Sequence, residues 1–531
     1  MIRLLFCILL FSPSIYADDL LDVLNGSNEK SDGLSLEKKS SIFKSIMPRR
    51  NAEQNIFFQF LEKGDYNKAL YQWPSAFEGG RFANTGNGRA LYGYLLFKNG
   101  LKLTGIETLF SANPTQINKT LIGLWRGLMQ THESLWTLTD VSWNNQWTKM
   151  FGLPAEVAVR ARRFDADLSL SKLEDLLRKT TSKTWERSWT EWRFVTSLLF
   201  QGEDIKAAKL LKHLQGIKEN NPVSTNLMNI TAARMLYQNG YLSQSIRYYE
   251  KVDKGSDYWF EALEEMGWAE LRLGKPQNTL AHTQTLLTPS LEPDVGPETF
   301  YLASLANLKI CDYVQVSQLL KEYRKRFQTK AKVMMSLRET PDNKAVQTLF
   351  TKLENGRTSL PALGQYGVEV PRHSTRDENL FYLVSRQKIL RAEAETAKKL
   401  YSNSLSEGTA QVGFQAKMER FKKSISQRAR NSFTASLNRV KKLAQQEIDE
   451  ISSILKKMQI VEAELIQQLA MTERVIEDSK NKIAKTKKGT TGSQAKDTLK
   501  FPYQGEIWFD ELANYKIDIA KGCQSGEGKT L

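Results

Sequence analysis

Seven of the eleven tryptophans in this 531-residue chain fall between Trp125 and Trp192, and Trp185, Trp189 and Trp192 recur at i, i+4 and i+7. That spacing puts three indoles on one face of a helix. Such a face can stack on a glycan or a peptide, which makes the three residues a candidate ligand groove. Packing of bulky rings between helices is the commoner use of the pattern and carries more weight here. A second grouping is basic. Lys417, Arg420, Lys422, Lys423, Arg428, Arg430, Arg439, Lys441 and Lys442 stand against Glu419 alone, and they hold about half of the net charge of +16. A solvated helix face explains most runs of this kind. Contact with anionic lipid headgroups, an acidic cell-wall polymer or an acidic partner is the functional alternative.

Catalytic spacings are absent. Gly528-Lys529-Thr530 imitates the end of a phosphate loop, but Cys523 occupies the position of the first glycine and no helix can follow before Leu531. His132-Glu133 opens like a zinc-protease helix, yet Trp136 stands where the second ligand belongs. The remaining histidines, His213, His282 and His373, share no ligand-like spacing, and no Gly-x-Ser-x-Gly elbow occurs. The reading is therefore no enzyme, no cofactor and no metal.

Residues 1–17 combine Arg3, the apolar run Leu4 to Phe11 and a small residue, Ala17, before Asp18 and Asp19. This is the pattern of a secretory signal peptide, too short to span a membrane. An exported protein makes nucleic acid a poor explanation of the basic charge. Export also leaves two cysteines, Cys311 and Cys523, able to oxidise together. A bond between them would staple the tail to the body; two unpaired buried thiols are the alternative.

These groups need elements to hold them. Residues 18–50 are polar and read as a flexible arm, and from residue 51 the apolar pattern is helical with no convincing two-residue alternation. One phrase recurs: an apolar helix, a glycine turn, and a small residue five positions on. It occurs at Gly64 with Ala69, Gly100 with Gly105, Gly202 with Ala207, Gly240 with Ser245, Gly274 with Thr279, and more weakly at Cys311 with Val316. The successive turns lie 36, 102, 38, 34 and 37 residues apart, and the long interval leaves room for two degenerate copies. Spacing and pattern resemble the tetratricopeptide repeat over residues 51–327, with Leu263, Gly267 and Gly274 as the best match and Pro289 near the closing proline. Thr279 and Val316 depart from the expected alanine.

Residues 328–376, punctuated by Pro341, Gly356, Pro361, Gly364, Gly367 and Pro371, read as a connector with short helices. Residues 377–487 read as a coiled coil. Its seam is Ile451, Leu455, Met458, Val461, Leu465, Leu469, Thr472 and Ile476; it needs a partner helix, with residues 377–402 expected to fold back on part of the long segment as an antiparallel hairpin and the remainder to pair with another chain, so a homo-oligomer is an expectation. Residues 488–531 form a linker and an aromatic tail in which Phe501, Tyr503, Trp508, Leu512 and Tyr515 should dock on the body as a short helix.

The expected class is thus all-α: a tetratricopeptide-like helical solenoid, then a long coiled-coil helix, then a short C-terminal docking helix. The tail phrase around Trp508, Glu511 and Leu512, with Cys523 beyond it, resembles the closing motif of envelope tetratricopeptide proteins associated with gliding motility in deltaproteobacteria. That resemblance implies a periplasmic, non-catalytic scaffold that binds envelope proteins, with motility as the process served. The alternative is a protein that binds peptidoglycan or assists a cell-wall enzyme.

Overall fold

The computed structural model describes residues 43–480, except 132–134, 137, 140–142, 153–169, 182–183, 220 and 407–411, together with 512–515 and 517. The expected signal peptide, most of the expected arm, Phe501, Tyr503, Trp508 and Cys523 therefore lie outside the described residues. What is described is all-α, and it contains no strand. The chain divides into two units: residues 1–224, 341–359 and 373–440, and residues 225–340, 360–372 and 441–531.

The first unit begins with two helical hairpins, α1 (Ala52–Lys63) with α2 (Tyr66–Phe77) and α3 (Gly86–Lys98) with α4 (Lys102–Phe110). Shorter helices α5 (Lys119–Thr131), α6 (Asn145–Phe151) and α7 (Leu170–Lys179) precede a third hairpin, α8 (Trp185–Gln201) with α9 (Asp204–Gln215). The second unit continues with α10 (Thr225–Gln238) and α11 (Leu242–Tyr249), α12 (Trp259–Arg272) and α13 (Pro276–Leu286), and α14 (Glu298–Lys309) with the long α15 (Tyr313–Glu339). Then α16 (Lys344–Glu354) and α17 (Glu378–Ser406) return to the first unit, and α18 (Val412–Lys480) gives its first part to the first unit and the rest to the second.

One turn closes each of the six hairpins. Its residue adopts a left-handed backbone: Gly64, Gly100, Gly202, Gly240, Gly274 and Cys311 have φ of 79°, 83°, 79°, 81°, 75° and 61°. The following N–H donates back to the carbonyl five residues earlier, as in Asp65 to Phe60 at 2.9 Å, Lys275 to Glu270 at 3.0 Å and Asp312 to Asn307 at 3.0 Å. This is a Schellman ending, which glycine adopts without strain and which costs an L-residue roughly 1 kcal/mol. Five glycines and one cysteine thus perform the same local task.

The small residues five positions later explain how the paired helices approach. Ala69, Ala207, Ser245, Thr279 and Val316 are all fully buried. At the closest approach a Cβ on Gly93 would lie 2.6 Å from the Gly105 carbonyl, so neither position accepts a side chain. Thr279 departs from alanine for a visible reason: its hydroxyl donates to the Gly267 carbonyl at 2.9 Å, across the hairpin. Between Gly100 and Gly202 the expected pair of degenerate copies is not legible. The described helices there span 13, 7 and 10 residues, and residues 153–169 fall outside the description.

Two sequence boundaries shift. The expected division at residue 327 falls inside α15, whose apolar pattern continues through Met334 and Leu337, both fully buried, until Pro341 stops it. The seam of α18 also turns slightly: Ile454 is buried at 2% exposure while Leu455 stands 38% exposed and Leu469 43%. From Ile451 to Leu465 the partner is α15. Ile451, Ile454, Met458, Val461 and Leu465 pack with Val316, Leu319, Leu320, Tyr323 and Phe327 of α15 in one cluster. Tyr323 donates to the Ile451 carbonyl at 2.9 Å, and Arg338 reaches Gln445 whereas Arg324 pairs with Glu462, which makes the two helices antiparallel. Residues 377–402 do fold back, on the earlier part of α18. Asp377 meets Arg439 and Ser432 donates to the Leu383 carbonyl.

Candidate interaction site

The tryptophan grouping resolves as packing. Trp189 and Trp192 are 5% and 2% exposed, and Trp185 is half-buried. The Trp189 and Trp192 rings offer no face to a ligand, whereas Trp185 keeps part of its surface exposed. Trp125, Trp136 and Trp147 are buried too, with Trp136 and Trp147 ranged around Phe110 at 5.5 and 4.6 Å between centroids.

The basic segment separates into three groups. Arg428 and Arg439 turn inward to Glu107 and Asp377. Lys417 sits 4.5 Å above the Tyr92 ring, where burial lowers its pKa and Glu78 opposes the shift. Lys422 and Lys423 hold Glu419 at 3.5 and 4.0 Å, Lys441 is half-buried, and Arg420, Arg430 and Lys442 are exposed. Part of the run therefore holds the helix in place, and the rest is presented outward from the first unit or, for Lys442, from the second.

Behind the inward arginines lies a residue that the sequence reading passed over. Glu393 on α17 is only 2% exposed and accepts from the Leu103 N–H at 2.5 Å and from the Thr104 hydroxyl at 2.6 Å. Those groups are the open N-terminus of α4, whose N-cap residue, Leu101, supplies no side-chain cap. A carboxylate from a residue 290 positions away thus does what a local serine or aspartate usually does. Burial pushes the Glu393 carboxyl up to about 7, against the pull of Thr104, Leu103 and Arg428. A trace of this was present in the sequence: Glu393 interrupts the apolar stripe Leu390, Ala397 and Leu400, all of which are buried.

The second unit has its own polar centre. The Arg372 N–H donates to Glu447 at 2.9 Å and its guanidinium to both oxygens of Glu450 at 2.8 Å, while it lies so close to Gly296 that a Cβ there would be 2.6 Å from it. Burial disfavours the charge on Arg372, and Glu450, Glu447 and Glu264 more than restore it. Nearby Glu264 accepts from the Thr299 hydroxyl at 2.5 Å, and burial, reinforced by Glu298, pushes its carboxyl up to about 8. Nothing local in Pro371-Arg372 announces this role.

The tail docks within the second unit, at least where it is described. Leu512 is buried, its carbonyl accepts from Lys254 at 2.9 Å, and the Ala513 N–H donates to Thr285 at 2.9 Å. Tyr515 is half-buried, and Ile517 packs on Leu271, Leu280, Leu302 and Ala306. Leu512 and Ala513 form a turn, so any docking helix would fall on residues outside the description.

Of the histidines, His213 lies 3.0 Å from Glu191, and burial lowers the pKa of His282. Among the described residues no group of three His, Cys, Asp or Glu is placed to hold a metal, and no helix is long and apolar enough to cross a membrane.

An open groove of about 680 Å³ completes the first unit. It runs between the end of α16, the middle of α17 and the basic part of α18, with Ala392, Ala429 and Phe433 among its lining. The chain matches no protein-family model, no curated protein and no solved structure.

Proposed function

We propose that the chain is a non-catalytic, exported scaffold whose tetratricopeptide-like hairpins present surfaces to protein partners in a periplasmic envelope assembly, with motility as the process served. The observation that carries this reading is the recurrence of one turn, with one small buried residue five positions later, at Gly64, Gly100, Gly202, Gly240, Gly274 and Cys311. Stacked hairpins of that design generate extended surfaces for polypeptides rather than enclosed reaction sites.

Export is supported by the pattern of residues 1–17 and by Cys311, which is disulfide-bonded. The partner we propose for it is Cys523, which lies outside the described residues, since Cys7 falls in the segment read as a signal peptide. Cysteine at a strained position where glycine serves five other hairpins is best explained by its sulfur. The docked Leu512 and Ala513 bring the tail onto the same unit as Cys311. The seam from Ile451 to Leu465 is already filled by α15, so self-association through it is no part of the proposal.

The test is photo-crosslinking in intact cells from positions on exposed hairpin surfaces, followed by identification of the adducts. Covalent adducts with envelope proteins are expected. Their absence, together with co-sedimentation on purified peptidoglycan, would replace the scaffold with the cell-wall alternative.

A further inference from the structure

The surface of the second unit that receives the tail holds a polypeptide in two ways. Polar side chains meet its main chain: Lys254 donates to the Leu512 carbonyl and the Thr285 hydroxyl accepts from the Ala513 N–H, both at 2.9 Å. Apolar positions take its side chains. Leu512 is buried, and five residues on Ile517 packs with Leu271, Leu280, Leu302 and Ala306, beside Trp268 and Ile310. Main-chain bonds give affinity for an extended peptide, and apolar positions choose among peptides.

The helices beneath the tail are packed without it. Thr279 bonds to the Gly267 carbonyl between α13 and α12, and Leu302 of α14 lies so near Gly267 that a Cβ there would be 2.9 Å from it. The tail is a strap on that frame, with Ala513, Tyr515 and Ile517 half-buried and Asn514 exposed. Ala513 also holds a left-handed backbone, φ 68°, whose strain works against docking. Cys311 is placed to complete the hold. It follows Ile310, which packs on the same cluster as Ile517, and Cys523 lies six residues beyond Ile517, a reach of up to ~20 Å.

We infer that the surface of α12, α13 and α14 is a docking site for an extended partner segment with two aliphatic side chains five positions apart, and that the tail is its redox-released latch. This rests on the scaffold reading and on the bond proposed there between Cys311 and Cys523, and it names one surface by which the scaffold binds. Two electrons and two protons from a dithiol reductant turn the disulfide into two thiols, and the reductant leaves as its own disulfide. The docked segment is then tethered only through residues 481–511, 31 residues in place of six. Tether closure weakens with the three-halves power of length, so the tail's hold on its own surface falls about tenfold. A partner segment then competes for the surface. The tail of a second copy is a poorer occupant, because each copy carries the same segment on its own tether.

Fluorescence anisotropy with the full chain tests this, using a labelled peptide of residues 506–522, which omits Cys523, and the same peptide carrying Leu512→Asp and Ile517→Asp as control. Oxidised protein is expected to bind the native peptide weakly, and protein treated with dithiothreitol about tenfold more tightly. Cys523→Ser should match the treated protein without any reductant. Full-length protein carrying Leu512→Asp and Ile517→Asp, whose tail no longer competes, should bind tightest after reduction. Adding Lys254→Ala to it should weaken binding about threefold. The control peptide should bind at least about tenfold more weakly than the native one. No binding by the tail-substituted protein, equal binding of the two peptides, or no loss with Lys254→Ala would each overturn the docking site. Equal affinity of oxidised, reduced and Cys523→Ser protein would overturn the latch. A dimer that forms only on reduction, measured by sedimentation, would make the tail of a second copy the occupant and overturn the assignment to a partner. If the peptide does not bind while in-cell crosslinks to envelope proteins persist, this inference falls and the scaffold reading stands. If the peptide binds as expected and the crosslinks are absent, the scaffold reading falls alone.

Discussion

The two parts of α18 are held by different mixtures of contacts. From Lys417 to Arg439 buried Met418, Ile425 and Ala429 are joined by several charged contacts: Lys417 over Tyr92, Arg428 to Glu107, Arg439 to Asp377. From Ile451 to Leu465 it is fastened by aliphatic packing on α15. An apolar seam announces itself by period, because a partner is required to remove it from water. A basic run announces nothing of the kind. In this chain it contains both outward-facing charges and inward counter-ions whose acids lie tens to hundreds of residues away.

That contrast can be broken at four places, from the largest expected effect to the smallest. Val461→Asp places an unpaired carboxylate inside the seam, where the wild-type side chain is 2% exposed, and should cost about 4 kcal/mol in urea unfolding. A loss under 1 kcal/mol would mean that the aliphatic part is not held by α15. Glu393 supplies the second prediction. Its folded-state carboxyl, pushed up to about 7, lies above the unfolded value of 4.5, so the folded state binds the proton more tightly. The resulting stabilisation is complete below about pH 4.5 and is lost as pH rises through 7, an effect on the order of 3 kcal/mol. Glu393→Gln, which cannot ionise, should flatten the stability profile over that window. A profile with unchanged slope would remove Glu393 as its source.

Third, Arg439→Ala strands Asp377, which also caps the start of α17 through the Leu380 N–H at 2.7 Å, and should cost about 1 to 2 kcal/mol. A loss as large as that of Val461→Asp would erase the distinction between the two parts. Finally, Lys423→Ala removes an exposed partner of Glu419 and should change stability by less than about 0.5 kcal/mol at moderate salt. A larger loss would show that the outward charges also carry structure.

Much of the fold could be read in advance, and the legible part has a common character. The hairpin turns were visible because glycine at a left-handed position, and a small residue five positions on, act within one turn and the helix that follows. The end of α15 could have been found by noting that Met334 and Leu337 continue its period to Pro341. Misplacing Leu455 on the buried face came from following steps of three and four without knowing where the partner axis lay, which only α15 decides. The candidate site was legible only in outline. The basic residues were found, but their sorting into Arg428 and Arg439, which are tied, and Arg430, which is not, depends on acids supplied by other helices.

Taken alone, the sequence determined the helical class, the six turns and the small residues beneath them, because those features depend on backbone conformation and on hydrogen bonds spanning about five residues. Tertiary structure alone decided which helix fills the seam of α18, that Glu393 closes the end of α4, and that Arg372 rests on Gly296. The physical reason is that apolar faces of equal period are interchangeable until packing selects one pairing, and a buried polar atom acquires its partner, or fails to, only after that selection.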